Sequence, residues 1–125
     1  MRKKKILFVD DEVDLARLLI FKLEKEGFEV IFAEDGKEAL CALEKKPDLI
    51  LLDIWLPDID GYEVCRKIRL NARFKKIPII FFTASAEARE KIAYNIAEFG
   101  AQDFIIKPFD TNVLLEKIRK HINTD

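Results

Sequence analysis

The chain carries one histidine, one tryptophan, two cysteines, four glycines and four prolines in 125 residues. That scarcity excludes several classes at once. Cys41 and Cys65 stand alone on separate amphipathic segments, with no second cysteine or histidine at metal-ligand spacing around either, so neither anchors a zinc or copper centre. They read as reduced thiols in a cytoplasmic protein rather than as a disulfide. No long linker, internal repeat or low-complexity stretch divides the sequence, and residues 1–125 are expected to form a single domain around one buried core.

An excess of charge of one sign is also missing. The 22 basic and 23 acidic residues leave a net charge of −1, which argues against a generic nucleic-acid-binding surface. Long hydrophobic runs are absent too: after the basic start, Arg2 to Lys5, only four apolar residues precede Asp10 and Asp11. That is too short for a signal peptide or a membrane span. The basic start reads as a solvated strand entrance, and no membrane contact is expected.

What is present is half hydrophobic and strictly patterned. Lys5-Ile6-Leu7-Phe8-Val9 is a continuous apolar run, the pattern of a strand covered on both faces. Val13, Ala16, Leu19 or Ile20, and Leu23 then recur at helical spacing, with Gly27 placed to end the helix. Phe28 to Ala33 alternates toward strand. Lys37 to Lys46 is amphipathic through Ala39, Leu40 and Leu43 and is stopped by Pro47. Leu49 to Leu52 is a second buried strand ending in Asp53. Tyr62 to Arg69 offers Val64, Cys65 and Ile68 as a helix face. Pro78 to Phe82 forms another buried strand ending at Thr83, Ala86 to Phe99 is helical by composition, and Gly100 closes it. Phe104-Ile105-Ile106 is a last strand ending at Lys107, and Asp110 caps a final helix in which Leu114, Ile118 and Ile122 lie four apart.

Five strand-helix units in alternation indicate an α/β three-layer fold, a five-stranded parallel sheet with helices on both faces. Right-handed crossovers and short loops favour the flavodoxin-like (βα)5 arrangement of order 2-1-3-4-5. In such sheets ligands bind at the carboxyl edge, at the switch point between the first and third strands. There this sequence delivers Asp10 with Asp11, Asp53, Thr83 and Lys107.

Three converging carboxylates repel one another, and a divalent cation relieves this. Oxygen ligands, few in number and without histidine or cysteine, suit magnesium that keeps several waters, with manganese able to substitute. Lys107 is the natural partner for an anion on Asp53, its alternative role being a structural salt bridge. Acidic residues after strands can instead cap the next helix, which would account for Asp11 or Glu12 but not for Asp53, separated from its helix by Pro57. Thr83 alone reads equally as a helix cap, and Phe104 as a core aromatic.

These residues resemble the receiver domains of two-component response regulators over essentially the whole chain, in the manner of the chemotaxis regulators. The acidic pair after the first strand is Asp10-Asp11. An Asp-x-x-x-Pro-x-x-Asp-Gly pattern is matched from Asp53 through Pro57 to Asp60-Gly61, a Thr-Ala pair by Thr83-Ala84, and Lys-Pro-Phe by Lys107-Pro108-Phe109. Four short motifs in order on the right elements are a specific signal. The resemblance implies that Asp53 is the phosphoacceptor and that Asp10, Asp11, Asp53 and the backbone carbonyl of Trp55 hold magnesium. It implies that Thr83 and Lys107 contact the phosphoryl oxygens, that the Lys107-Pro108 bond is cis, and that Thr83 and Phe104 form a switch. That switch would repack the face made by the fourth helix, fifth strand and fifth helix. Trp55 stands where the family usually has a smaller side chain, and the stretch from Thr83 to Lys107 is longer than expected.

The resemblance further implies a sensor histidine kinase, phosphotransfer protein or small acyl phosphate as donor, an output domain or effector protein as partner, and phosphorylation-linked homodimerisation. The protein would be a signalling receiver catalysing only its own phosphotransfer and dephosphorylation. Two other classes of function compete with this one. A pseudo-receiver acting only as an interaction module would lack an active-site residue, and none is lacking. A phosphohydrolase would need a second aspartate where Trp55 stands, and a flavin protein would need a phosphate-cradling loop where the acidic pair lies.

Overall fold

A strand with an unbroken apolar run has to be covered on both faces, and β1 (Lys5–Val9) is: past Lys5, every residue from Ile6 to Val9 is buried. The computed structural model describes residues 2–83, 98 and 100–122. After β1 come α1 (Val13–Lys25), β2 (Glu29–Ala33), α2 (Gly36–Ala42) with a 3-10 turn over Leu43–Lys45, β3 (Leu49–Asp53) and α3 (Gly61–Leu70). β4 (Ile79–Thr83), β5 (Asp103–Ile106) and α4 (Thr111–His121) complete the described elements. The helix expected over 86–99 falls outside the described residues, apart from position 98, so α4 here denotes the final helix.

The five strands form one sheet of order β2-β1-β3-β4-β5, all pairs parallel. This is the expected order. Side chains alternate across the sheet, so the core splits in two. On one face Leu7, Val9, Ile50, Leu52, Ile79 and Phe81 pack against Ala39 and Leu43 and against Val64, Cys65 and Ile68 of α3. On the other, Ile6, Phe8, Leu49, Leu51, Ile80 and Phe82 meet Ala16, Leu19 and Leu23 of α1 and Leu114, Leu115 and Ile118 of α4. Helices therefore cover both faces.

Local chemistry explains most boundaries. Gly27 takes φ +95°, the left-handed geometry that ends α1. Asp110 accepts from the Asn112 amide at 2.7 Å, capping α4. The helix expected as far as Lys46 is shorter: it tightens into the 3-10 turn, and Lys46 turns left-handed at φ +58°. Pro47 is the cause, since a proline disfavours helical geometry in the residue before it. Cys41 is exposed and Cys65 buried, and neither is in a disulfide. Burial pushes the Cys65 thiol up to about 11. No helix among the described residues is long and apolar enough to cross a membrane.

Candidate functional site

The register places the site. Val9 pairs with Leu52, so the next residues along the two central strands, Asp10 and Asp53, emerge side by side at the carboxyl edge. The Asp10 amide extends the ladder by donating to the Ala33 carbonyl at 3.1 Å. Its side chain is fully buried, and Asp53 is 4% exposed. Oxygens of Asp10, Asp11 and Asp53 all lie within 4.8 Å of one another. The Glu12 amide donates to Asp10 Oδ1 at 3.0 Å and the Trp55 amide to Asp53 Oδ1 at 3.1 Å. Glu12 heads α1 without a side-chain cap bond, so its capping role is not realised.

Two buried carboxylates need compensation, and Lys107 supplies it. Its Nζ lies 3.0 Å from Asp10 Oδ2, 3.5 Å from Asp53 Oδ2 and 3.5 Å from Glu12 Oε1. The ammonium also sits over the Phe82 ring, 4.7 Å from its centre, a cation-π contact. Burial alone would lower the lysine's pKa; Asp53, Asp10 and Glu12 outweigh it and hold it above the usual value. For Asp53 burial wins: the carboxyl is pushed up to about 6, against the pull of Lys107 and the Trp55 amide and with added repulsion from Asp10.

The donor set fits a hard divalent cation. All candidate ligands are oxygens, one of the three carboxylates faces solvent, and the two buried ones share the Lys107 ammonium. The loop after Asp53 is held from three sides. The Gly61 amide donates to the Ile54 carbonyl at 2.7 Å. Asp60 accepts from the Glu63 amide at 2.9 Å, capping α3. Asp58 accepts from the amides of Gly36 and Lys37 at 2.8 and 2.9 Å. Gly61 is required there, because a Cβ would stand 2.5 Å from the Asp53 carbonyl oxygen.

The remaining expected residues fall as follows. Thr83 ends β4 in register with Ile106; its side chain lies outside the described residues. Phe104 is half-buried and packs on the same side of the sheet as Phe81, its register partner. The Lys107-Pro108 peptide is cis. Trp55 is 58% exposed. The stretch that lengthens the spacing between Thr83 and Lys107 falls largely outside the described residues.

Two features escaped the sequence. One is Asp58, whose partners are some twenty positions back in the chain. The other is an apolar groove of about 380 Å³ beside Lys107, lined by Leu15, Leu18 and Leu19 of α1 with Pro108 and Phe109. Its signal was present: Leu15 and Leu18 are apolar but off the buried stripe of α1, and both are exposed.

A family model described as a response regulator receiver domain matches residues 6–119. The response regulator ArlR of Staphylococcus saprophyticus is 47% identical over 116 residues, covering 92% of this chain and 50% of that protein. The chain spans about half the length of the curated relatives it matches. Among solved structures, the chemotaxis response regulator CheY4 of Vibrio cholerae superposes with a TM-score of 0.87 at 29% identity, over 97% of this chain and 100% of its own. A two-component response regulator from Clostridium difficile gives 0.83 at 32% identity, over 94% of each.

Proposed function

This chain belongs to the response regulator receiver domain family, and from that membership we propose that residues 1–125 act as one receiver whose Asp53 accepts a phosphoryl group. One observation carries the reading: a buried carboxylate at the sheet switch point, with a second buried carboxylate beside it and a lysine ammonium 3.5 Å away. In the transfer, an Asp53 oxygen bonds to phosphorus as the donor's P–N or P–O bond breaks, and the leaving group keeps the electron pair. Lys107 is the cation within reach of the transferring oxygens, and Asp10 keeps it aligned. Asp10, Asp11, Asp53 and the Trp55 carbonyl would hold magnesium, which when bound neutralises charge on the transferring group.

The donor is a phosphohistidine of a sensor kinase or phosphotransfer protein, or a small acyl phosphate. The groove beside Lys107 supports a protein donor, since an apolar surface continuous with the site lets a partner dock while its phosphoryl group reaches Asp53. The product adds charge and acceptors at the sheet edge. Thr83 and Lys107 turn toward it, Phe104 follows, and the face made by β5, α4 and the chain between β4 and β5 changes its packing for an output domain or effector. The receiver works in the cytoplasm and performs no chemistry beyond its own phosphorylation and dephosphorylation.

Intact-mass measurement after treatment with acetyl phosphate tests this: one phosphoryl adduct is expected with magnesium and none with EDTA. An unmodified mass in both sinks the proposal. Phosphorylation-linked dimerisation through the same face is tested by light scattering with and without the phosphodonor; an unchanged mass refutes it.

A further inference from the structure

We propose that Asp58 is a positioning residue for the phosphorylation site, tying the loop that carries Trp55 to the amides of Gly36 and Lys37. The inference rests on the reading of Asp53 as acceptor and deepens it.

The loop from Ile54 to Asp60 leaves the acceptor strand and carries the Trp55 backbone, whose amide already donates to Asp53 Oδ1. Its ends are fastened locally, at Ile54 by the Gly61 amide and at Asp60 by the cap on α3. Its middle rests on Leu56 and Ile59, which pack against the core, and Ile59 leans on Gly36 so closely that a Cβ there would collide with Ile59 Cγ1. Asp58 adds a polar clamp at the same place. Its two carboxylate oxygens each accept one amide, from Gly36 at 2.8 Å and from Lys37 at 2.9 Å. Charge-assisted bonds of this two-point kind fix orientation as well as distance.

Starting α2 does not require this carboxylate. Asp35 already caps the helix, accepting from the Glu38 amide at 2.8 Å. What the long-range bonds add is a fixed separation between α2 and the loop beside the acceptor. Residues that orient ligands from one layer out alter metal affinity by about 10–100-fold when removed, and the Trp55 carbonyl is the ligand this clamp would orient.

The test is magnesium affinity, read from the fluorescence of the only tryptophan, Trp55, by titrating magnesium chloride. Asp58→Ala, which loses both bonds, is expected to weaken binding about tenfold, and Asp58→Asn, which keeps one acceptor oxygen, by an intermediate factor. Asp48→Ala is the control for a purely structural effect. Asp48 is a comparable two-point carboxylate, bound by Arg2 and the Lys5 amide at the opposite edge of the sheet, and its loss is expected to leave affinity unchanged. Wild-type affinity in both Asp58 variants overturns the inference while leaving Asp53 as acceptor, as does equal weakening in Asp48→Ala. A wild-type chain that takes up no magnesium overturns the functional reading and this inference with it. Asp58→Asn decides the matter if the alanine variant does not fold.

Discussion

Lys107 Nζ lies 3.5 Å from Asp53 Oδ2, across the edge of the sheet from a strand two places away. In a site this buried each residue opposes the effect of burial on the other's ionisation, and the consequences are measurable without any phosphodonor.

Lys107→Ala removes the one ammonium among the described residues within salt-bridge distance of both buried carboxylates. Breaking one side of a buried pair costs roughly 3 kcal/mol, at the low end of the usual range because Asp53 can take up a proton instead. Urea denaturation in EDTA should show that loss, and saturating magnesium should recover most of it. An equal loss under both conditions would mean that the lysine stabilises the fold by packing alone.

The raised carboxyl of Asp53 fixes the sign of a pH dependence. Its folded value, about 6, lies above the ordinary aspartate value near 3.8, so between about pH 4 and pH 6 the folded state binds more protons than the unfolded one. Metal-free stability therefore carries a contribution that is present below pH 4 and lost as pH rises through 6. It amounts to at most about 3 kcal/mol, from two pH units at 1.36 kcal/mol each. Other carboxylates push the opposite way, Asp48 and Asp103 among them, both held below the usual range. The difference between wild type and Asp53→Asn, measured by urea unfolding across pH 4–7 in EDTA, isolates the term: the variant should gain relative stability as pH rises.

Gly61→Ala should cost about 2–3 kcal/mol, because the new methyl would meet backbone: the Asp53 carbonyl oxygen at 2.5 Å and Ile54 Cα at 2.7 Å. Gly36→Ala should cost less, since its obstacles are side-chain atoms of Ile59 and Val64 that can rotate. Thermal unfolding of the pair checks the order.

The two thiols should part company under alkylation. Cys41 is exposed, while Cys65 is buried with its thiol pushed up to about 11, and only the thiolate reacts. Iodoacetamide near pH 8 should label Cys41 alone in the native protein and both in urea, as counted by mass spectrometry.

The sheet order and the edge where the site lies were legible because the signals are local and redundant. Ile6 to Val9 and Leu49 to Leu52 are unbroken apolar runs, each delivering an aspartate at its end. What was not legible depends on pairing across the chain. Nothing near Asp58 announces that its partners are Gly36 and Lys37, and the excess of apolar residues on α1 at Leu15 and Leu18 gains meaning only when Phe109 is brought beside it. The early end of α2 was legible in principle, since Pro47 constrains Lys46, but the amphipathic pattern masked it. Asp53 also looked like one carboxylate among three, and only its burial beside Asp10 shows which way its proton affinity moves.

The central claim is that Asp53 is the acceptor, and residue-level mapping tests it most directly. After acetyl phosphate and magnesium, peptide mass spectrometry of the wild type should place a single hydroxylamine-sensitive phosphoryl group on Asp53, and Asp53→Asn should carry none. A phosphoryl group on any other residue, or one that persists in Asp53→Asn, would contradict the account.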